Sequence, residues 1–240
     1  MAEMPDIAGN IARVQERIAQ AAAKAGRAGE DIKLMLAAKY QPAENLIAAM
    51  EAGVNYFGHN LIPQLVEAEE AISTYPHFTS VIGHIQSNKL STAMDHAQRI
   101  DTVDSLKNLQ RINRRQEARI AAGEADAPYP VLLQVNSAAA PTQFGCSPQE
   151  LLELASRGSE LPQIEICGLM TIGANTEVEK EIHASFALLQ ELGAQMQSLP
   201  GLSGAKILSM GMTSDLEIAI AHGSTEVRVG TAVFGPRAQK

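Results

Sequence analysis

The run 34-LMLAAKYQP-42 joins an apolar stretch to a lysine, Lys39, and then at once to a turn marked by Pro42. A strand buried on both faces reads as such an apolar run, and strands of this kind belong to parallel sheets covered by helices. An ammonium at the end of that strand needs water, an anion or a covalent use. Strand side chains alternate, so Met35, Ala37 and Lys39 share one face while Leu34, Leu36 and Ala38 share the other. With the leucine face against helices, Lys39 points to the far side of the sheet.

The same unit then recurs along the chain. Short apolar or β-branched runs occur at IKLMLAAK (32–39), NYFGHN (55–60), HFTSVIG (77–83), RIDTVD (99–104), YPVLLQVN (129–136), EICGLMTI (165–172), KILSMG (206–211) and EVRVG (226–230). Between them lie stretches with helical spacing: Ala43–Ala52, Leu61–Ile72, Asn88–Ala97, Ser105–Ala122, Pro148–Arg157, Val178–Leu199 and Ser214–His222. Strands alternating with helices at this pace predict an α/β fold, a single-domain (β/α)8 TIM barrel. An open doubly wound sheet is the runner-up, but no Gly-x-Gly-x-x-Gly turn follows the first strand. Ahead of the barrel, Ile7, Ile11, Val14, Ile18 and Ala22 recur at helical spacing and predict an extra N-terminal helix from Ile7 to Arg27. The expected organisation is one domain over 1–240, with 1–31 as leading helix and linker and 32–235 as the barrel. The segment SAAAPTQ reads as a mobile loop.

Composition narrows the function classes. The 240 residues are 45% hydrophobic and 19% charged, with a net charge of −8, so no basic field is available for a nucleic-acid backbone. With no Trp and 4% aromatics, a stacking platform for bases is not expected. The opening MAEMPDIAGN lacks a basic segment followed by an apolar one, and no window approaches the roughly 18 apolar residues of a membrane span, so a cytoplasmic protein without membrane contact is expected. Cys146 and Cys167 have no metal-like spacing and read as reduced, packed thiols.

In such a barrel the functional face is built from the carboxyl ends of the strands. Those ends supply Lys39, Asn60, Gly83, Asn136, Thr171 or Gly173, the segment Gly211–Ser214, and Gly230 with Thr231. A lysine in low-dielectric surroundings is disfavoured as an ammonium, which exposes a nucleophilic amine suited to a Schiff base. The plain alternative is a lysine that reaches solvent or pairs with a carboxylate. The turns at Met212-Thr213-Ser214 and Gly230-Thr231 offer backbone amides for an anion, where barrels commonly hold phosphate. Their plain alternative is capping, with Thr213 or Ser214 as a helix N-cap before Asp215 and Glu217. Arg228 shares a face with Gly230 and needs an acceptor, for which Glu226 on the same face is a structural candidate. His59, His77 and His84 fall near strands two and three, but without a His-x-His pair a metal-dependent hydrolase is disfavoured and no metal ligand is assigned. The acidic stretches 67–70 and 177–181 read as solvated helix faces.

Lys39 at the first strand end, Arg228 two residues before Gly230-Thr231, and the turn after strand seven together resemble the barrel of alanine racemase. Over most of residues 32–235 the chain is more closely similar to the pyridoxal phosphate homeostasis protein family, the YggS/PROSC group. The matching pieces are AAKYQP, FGHN, IGHIQSNK, QVN, GLMTIG and SMGMTSDLEIAIAHGSTEVRVGTAVFG. That resemblance implies pyridoxal 5'-phosphate as cofactor, carried by Lys39 as an internal aldimine, with Arg228 facing the pyridine nitrogen. It further implies Thr213, Gly230 and Thr231 at the phosphate with Ser214 nearby, Asn60 beside the cofactor and Met210 lining the pocket.

The function so implied is buffering or delivery of the cofactor without turnover, and no catalytic residue is assigned. Candidate partners are amino acids or apoenzymes that use the cofactor, and the expected assembly is a monomer or weak dimer. An arginine opposite the ring nitrogen donates a hydrogen bond and favours the neutral ring, which weakens carbanion chemistry. The racemase also carries its catalytic tyrosine on a later β-domain that the chain is expected to lack. The alternative is a Schiff-base enzyme, either a residual amino-acid racemase or an aldolase on a phosphorylated substrate. The chain departs from the family pattern at His59, where glutamate is usual, at Thr79-Ser80 in place of Trp-His, at Gln143 in place of a loop lysine, and at Ala38.

Overall fold

The computed structural model describes residues 5–235, so the expected span of 1–240 reaches outside the described residues at both ends. Eight strands form one closed parallel barrel: β1 (Lys33–Ala37), β2 (Tyr56–His59), β3 (Phe78–Val81), β4 (Arg99–Val103), β5 (Tyr129–Gln134), β6 (Ile164–Met170), β7 (Ile207–Ser209) and β8 (Glu226–Val229). Closure is made by β8 pairing with β1, from Lys33 opposite Glu226 to Leu36 opposite Val229. The connecting helices are α2 (Ala43–Glu51), α3 (Ile62–Ile72), α4 (Leu90–His96), α5 (Leu106–Ala121), α6 (Leu151–Ser159), α7 (Glu179–Gln197) and α8 (Leu216–Ala221). A last short helix, α9 (Thr231–Phe234), follows β8 and is not expected from the sequence pattern. The (β/α)8 reading is therefore correct.

The expected leading helix is α1 (Ile7–Lys24), with Asp6 as its N-cap accepting from the Gly9 N–H at 2.9 Å. Its buried stripe Ile7, Ile11, Val14 and Ile18 joins a core shared with Leu36, Ala38, Leu46, Val227 and Val229. Leu36 and Ala38 thus face helices, as alternation requires, and truncating fully buried Leu36 to Ala would cost about 2–5 kcal/mol. A second core, including Leu109, Leu133, Leu169 and Leu189, fills the space outside β4 to β7. Among the described residues no helix is long and apolar enough to cross a membrane.

The barrel interior is unusual in carrying buried charge where Val, Ile and Leu commonly fill such layers. Arg99 is bidentate to Asp101, at 2.5 and 2.7 Å, and its Nη2 also donates to Glu226 at 2.9 Å. The Tyr56 hydroxyl donates to the same Glu226 carboxylate. Burial alone would raise the Glu226 carboxyl, but Arg99 and the hydroxyls of Ser209 and Tyr56 hold it below its usual range. The structural partner of Glu226 is therefore Arg99 rather than Arg228, a correction to the reading of strand eight alone.

Two local expectations also change. The segment expected as a mobile loop is tied down at Ala140 and Gln143, because Asn136 acts as its hub: its amide donates to the Ala140 and Gln143 carbonyls and its Oδ1 accepts from the Ala140 N–H. Gln143 then ties this loop to the next by donating to the Gly173 carbonyl at 2.9 Å. At α8 the N-cap is Asp215, not Thr213 or Ser214, and the Asp215 Oδ1 accepts from the Met212 N–H at 2.6 Å.

Candidate functional site

The mouth of the barrel gathers most of the residues singled out by the strand ends. β1 ends at Ala37, so Lys39 sits in the turn beyond it, half-buried, with Nζ 5.2 Å from the Tyr40 ring centre. Tyr40 holds a left-handed backbone at φ 60°, which costs a bulky residue on the order of 1–3 kcal/mol and is typical of functional sites. Its N–H donates to the Gln64 Oε1 at 3.1 Å, so the first turn of α3 holds the turn that presents Lys39. On the other flank, a Cβ on Gly230 would stand 3.3 Å from the Ala37 carbonyl oxygen. The ends of β1 and β8 are therefore in contact, and Lys39 and the Gly230-Thr231 turn share one edge of the mouth.

Asn60 follows β2 at half burial. A Cβ on Gly83 would fall 2.2 Å from the Asn60 carbonyl oxygen, so only glycine lets the loop after β3 pass. Arg228 is buried at the centre of the mouth floor, where Nη1 donates to the Ser209 hydroxyl at 2.8 Å and Nη2 to the Thr171 carbonyl at 2.7 Å. Burial lowers its guanidinium pKa from the usual value, opposed by Glu226 and Asp101. A guanidinium has five N–H donors, so these two contacts orient Arg228 and leave others for an acceptor above it.

The turns after β7 and β8 meet at a pair of hydroxyls, with the Thr231 Oγ1 3.2 Å from the Thr213 Oγ1. Among the described residues the Thr213 and Ser214 N–H groups have no hydrogen-bond acceptor. Arg17 of α1 braces this turn from behind, donating to the Thr213 carbonyl at 2.8 Å and pairing with Glu217 at 2.7 Å. Both nearby acids are thus engaged, Asp215 by the Met212 N–H and Glu217 by Arg17. Two hydroxyls and two unpaired amides form a place for a phosphate-sized anion.

Met210 does not join this group. It is fully buried in the core between strands and helices, while its neighbour Ser209 faces the barrel interior and meets Arg228. Alternation from Leu208, also in that core, carries the signal that finds Ser209. Thr171 and Arg17 are the other residues that the sequence alone does not assign to the site. Thr171 shows only as a strand end, and Arg17 lies on a helix far from the barrel in sequence.

The histidines do not converge. His59 shares a face with Phe57, which faces the helices, and is buried with no partner for either ring nitrogen among the described residues. His77 pairs with Glu69 at 3.0 Å, and the His84 ring stacks on Phe144 with centres 4.0 Å apart. Among the described residues no three His, Cys, Asp or Glu side chains group as a metal site.

The chain and its fold match known proteins. The family model of the alanine racemase N-terminal domain matches residues 9–238. The Pyridoxal phosphate homeostasis protein of Pseudomonas aeruginosa is 38% identical over 98% of this chain and 97% of its own. PipY of Synechococcus elongatus, in a structure with PLP bound, superposes with a TM-score of 0.78 at 31% identity over 91% of this chain and all of PipY (100%). Alanine racemase of Corynebacterium glutamicum shares the fold at 16% identity and a TM-score of 0.71, with 62% of its length covered. On the strength of a match that runs nearly end to end, the chain belongs to the pyridoxal phosphate homeostasis protein family, within the wider alanine racemase N-terminal domain fold.

Proposed function

We propose that this protein binds pyridoxal 5'-phosphate at the barrel mouth and serves cofactor homeostasis, holding the cofactor rather than using it for turnover. The observation that carries the reading is the convergence of a lysine amine, a buried arginine and an anion nest on one mouth. The binding of PLP by PipY, whose chain this one matches along its length, supports it. When bound, the cofactor supplies an aldehyde for an amine and a ring able to accept electrons.

Lys39 is the amine that retains it. Thr213, Ser214, Gly230 and Thr231 receive the phosphate through hydroxyl and backbone donors, and Asn60 stands at the end of β2, the strand next to the one that carries Lys39. Arg228 addresses the ring nitrogen as a donor, which keeps that nitrogen unprotonated and the ring a weak electron sink. This electronic setting favours storage over carbanion chemistry.

The test is the absorbance spectrum with added cofactor, before and after borohydride, for wild type and Lys39→Ala. A band near ~420 nm that borohydride converts to a stable adduct on Lys39, and that is lost in Lys39→Ala, is the expected result. A band that survives loss of Lys39, or no band, would overturn the assignment. Solvent deuterium entering the α position of alanine faster than with free cofactor would replace storage by racemisation.

A further inference from the structure

The opposite end of the barrel, which in this fold is ordinarily packed for stability, holds a cleft of about 730 Å³. Its walls come from α1 through Ile18 and Ala19 and from the first residues of four strands: Lys33, Tyr56, Phe78 and Arg99. A volume of this order suits a small molecule.

The chemistry of the cleft is set by Arg99. Its side chain is only 5% exposed, yet it lines the opening. Asp101 and Glu226 take the Nε and Nη2 side of the guanidinium. Among the described residues Nη1 has no acceptor, and a carboxylate held along one edge of the planar fork leaves the opposite nitrogen pointing away from it. The Tyr56 and Phe78 rings meet edge to face at 5.2 Å, each with its centre 5.8 Å from the Arg99 Cζ. Lys33, exposed at the rim, adds a second cation, with Glu30 nearby as the one acid among the described lining residues. Ile18, Ile32, Leu34 and Val54 supply apolar surface.

We propose that this cleft is a second small-molecule site, separate from the barrel mouth, that takes a planar aromatic carboxylate. The carboxylate accepts from Arg99 Nη1 and from Lys33, and the ring lies against Tyr56, Phe78 and the apolar wall of α1. A neutral ligand of the same shape leaves the cations without an acceptor, so recognition depends on the charge.

The test uses sodium benzoate as probe and benzamide as its neutral isostere, followed through backbone amide shifts of the labelled protein. Benzoate is expected to shift residues around 18–19, 30–34, 53–56 and 99 in a saturable way below about 10 mM, with benzamide at least about tenfold weaker. Ala19 is exposed, so Ala19→Trp can fill the cleft without disturbing the core, and it is expected to weaken benzoate at least about tenfold. Arg99→Lys should weaken it as well, but that variant also touches the buried ion pairs, and Ala19→Trp keeps the result interpretable. No saturable shift, shifts confined to the mouth around Lys39 and Arg228, or equal binding of benzamide would overturn the proposal. Failure here leaves the reading of the mouth untouched, because the spectral test at Lys39 does not involve this end.

Discussion

The hydroxyls of Thr213 and Thr231 stand 3.2 Å apart across 18 residues of chain, joining the turns after β7 and β8 into one surface. If that surface receives a phosphate, each hydroxyl makes a hydrogen bond to a charged group, worth about 1.5–3 kcal/mol. Thr213→Val or Thr231→Val is then expected to weaken pyridoxal 5'-phosphate at least about tenfold in an absorbance titration. Pyridoxal, which lacks the phosphate, should bind the variants as it binds wild type. Because Thr213 is half-buried and Thr231 exposed, stability should change by no more than about 0.5 kcal/mol. Equal losses for both ligands would place the threonines outside the phosphate site.

Arg228 has a structural load beside its proposed role. It donates to Ser209 and Thr171, and with Arg99 it balances the buried Asp101 and Glu226. Arg228→Gln leaves one arginine for two carboxylates in the barrel interior. The change removes hydrogen bonds made by a charged donor and a charge that steadies both acids, and a loss of about 1.5–3 kcal/mol is expected in urea denaturation. A loss below about 1 kcal/mol would mean that Arg99 alone satisfies both acids.

Much of the fold and of the mouth is legible in the sequence because strand ends in a parallel barrel announce themselves. The LMLAAK run, the SMG run and EVRVG each alternate cleanly, and that alternation by itself assigns Lys39 and Arg228 a face. For Met210 the family resemblance implies a place lining the pocket, whereas the same alternation turns Ser209 inward to Arg228 and sets Met210 in the core. Arg99 and Asp101 stand as RID inside a buried strand, and two opposite charges at period two in an apolar run are a signature of an internal ion pair. What no local pattern can give is the brace from Arg17 and the cleft beneath α1. Each depends on segments far apart in the chain being brought together by barrel closure and by the docking of α1.

Tyr56 and Glu226 allow a cleaner look at the interior network. Tyr56→Phe removes the hydroxyl that donates to Glu226 and keeps the ring that packs against Phe78. Glu226 retains Arg99, so the expected loss is about 1–2 kcal/mol rather than collapse of the pair. In a double-mutant cycle with Glu226→Gln the two changes should couple by at least about 0.5 kcal/mol. Strict additivity would show that the contact carries no stabilisation.

His59 stands where the family usually has glutamate, and among the described residues neither ring nitrogen has a hydrogen-bond partner. Burial, reinforced by nearby His77, lowers its pKa from 6.5 to about 4. The folded state therefore keeps the ring neutral in a range where the unfolded chain takes up a proton. Between those two values the unfolded state binds more protons, so stability falls as the pH falls, by about 3 kcal/mol across the window. Below about pH 4 both states are protonated and this contribution levels off. Asp101, raised to about 6 by burial against the pull of Arg99, titrates with the opposite sign, so absolute curves mix the two. Comparison with His59→Leu removes that difficulty, because Asp101 is common to both proteins. The variant is expected to be more stable by about 1–2 kcal/mol at pH 7, since an unsatisfied buried polar group is replaced by an apolar one. Its advantage should widen steadily as urea midpoints are followed from pH 7 to pH 4. An advantage that stays constant over that range would show that His59 does not resist protonation in the folded protein.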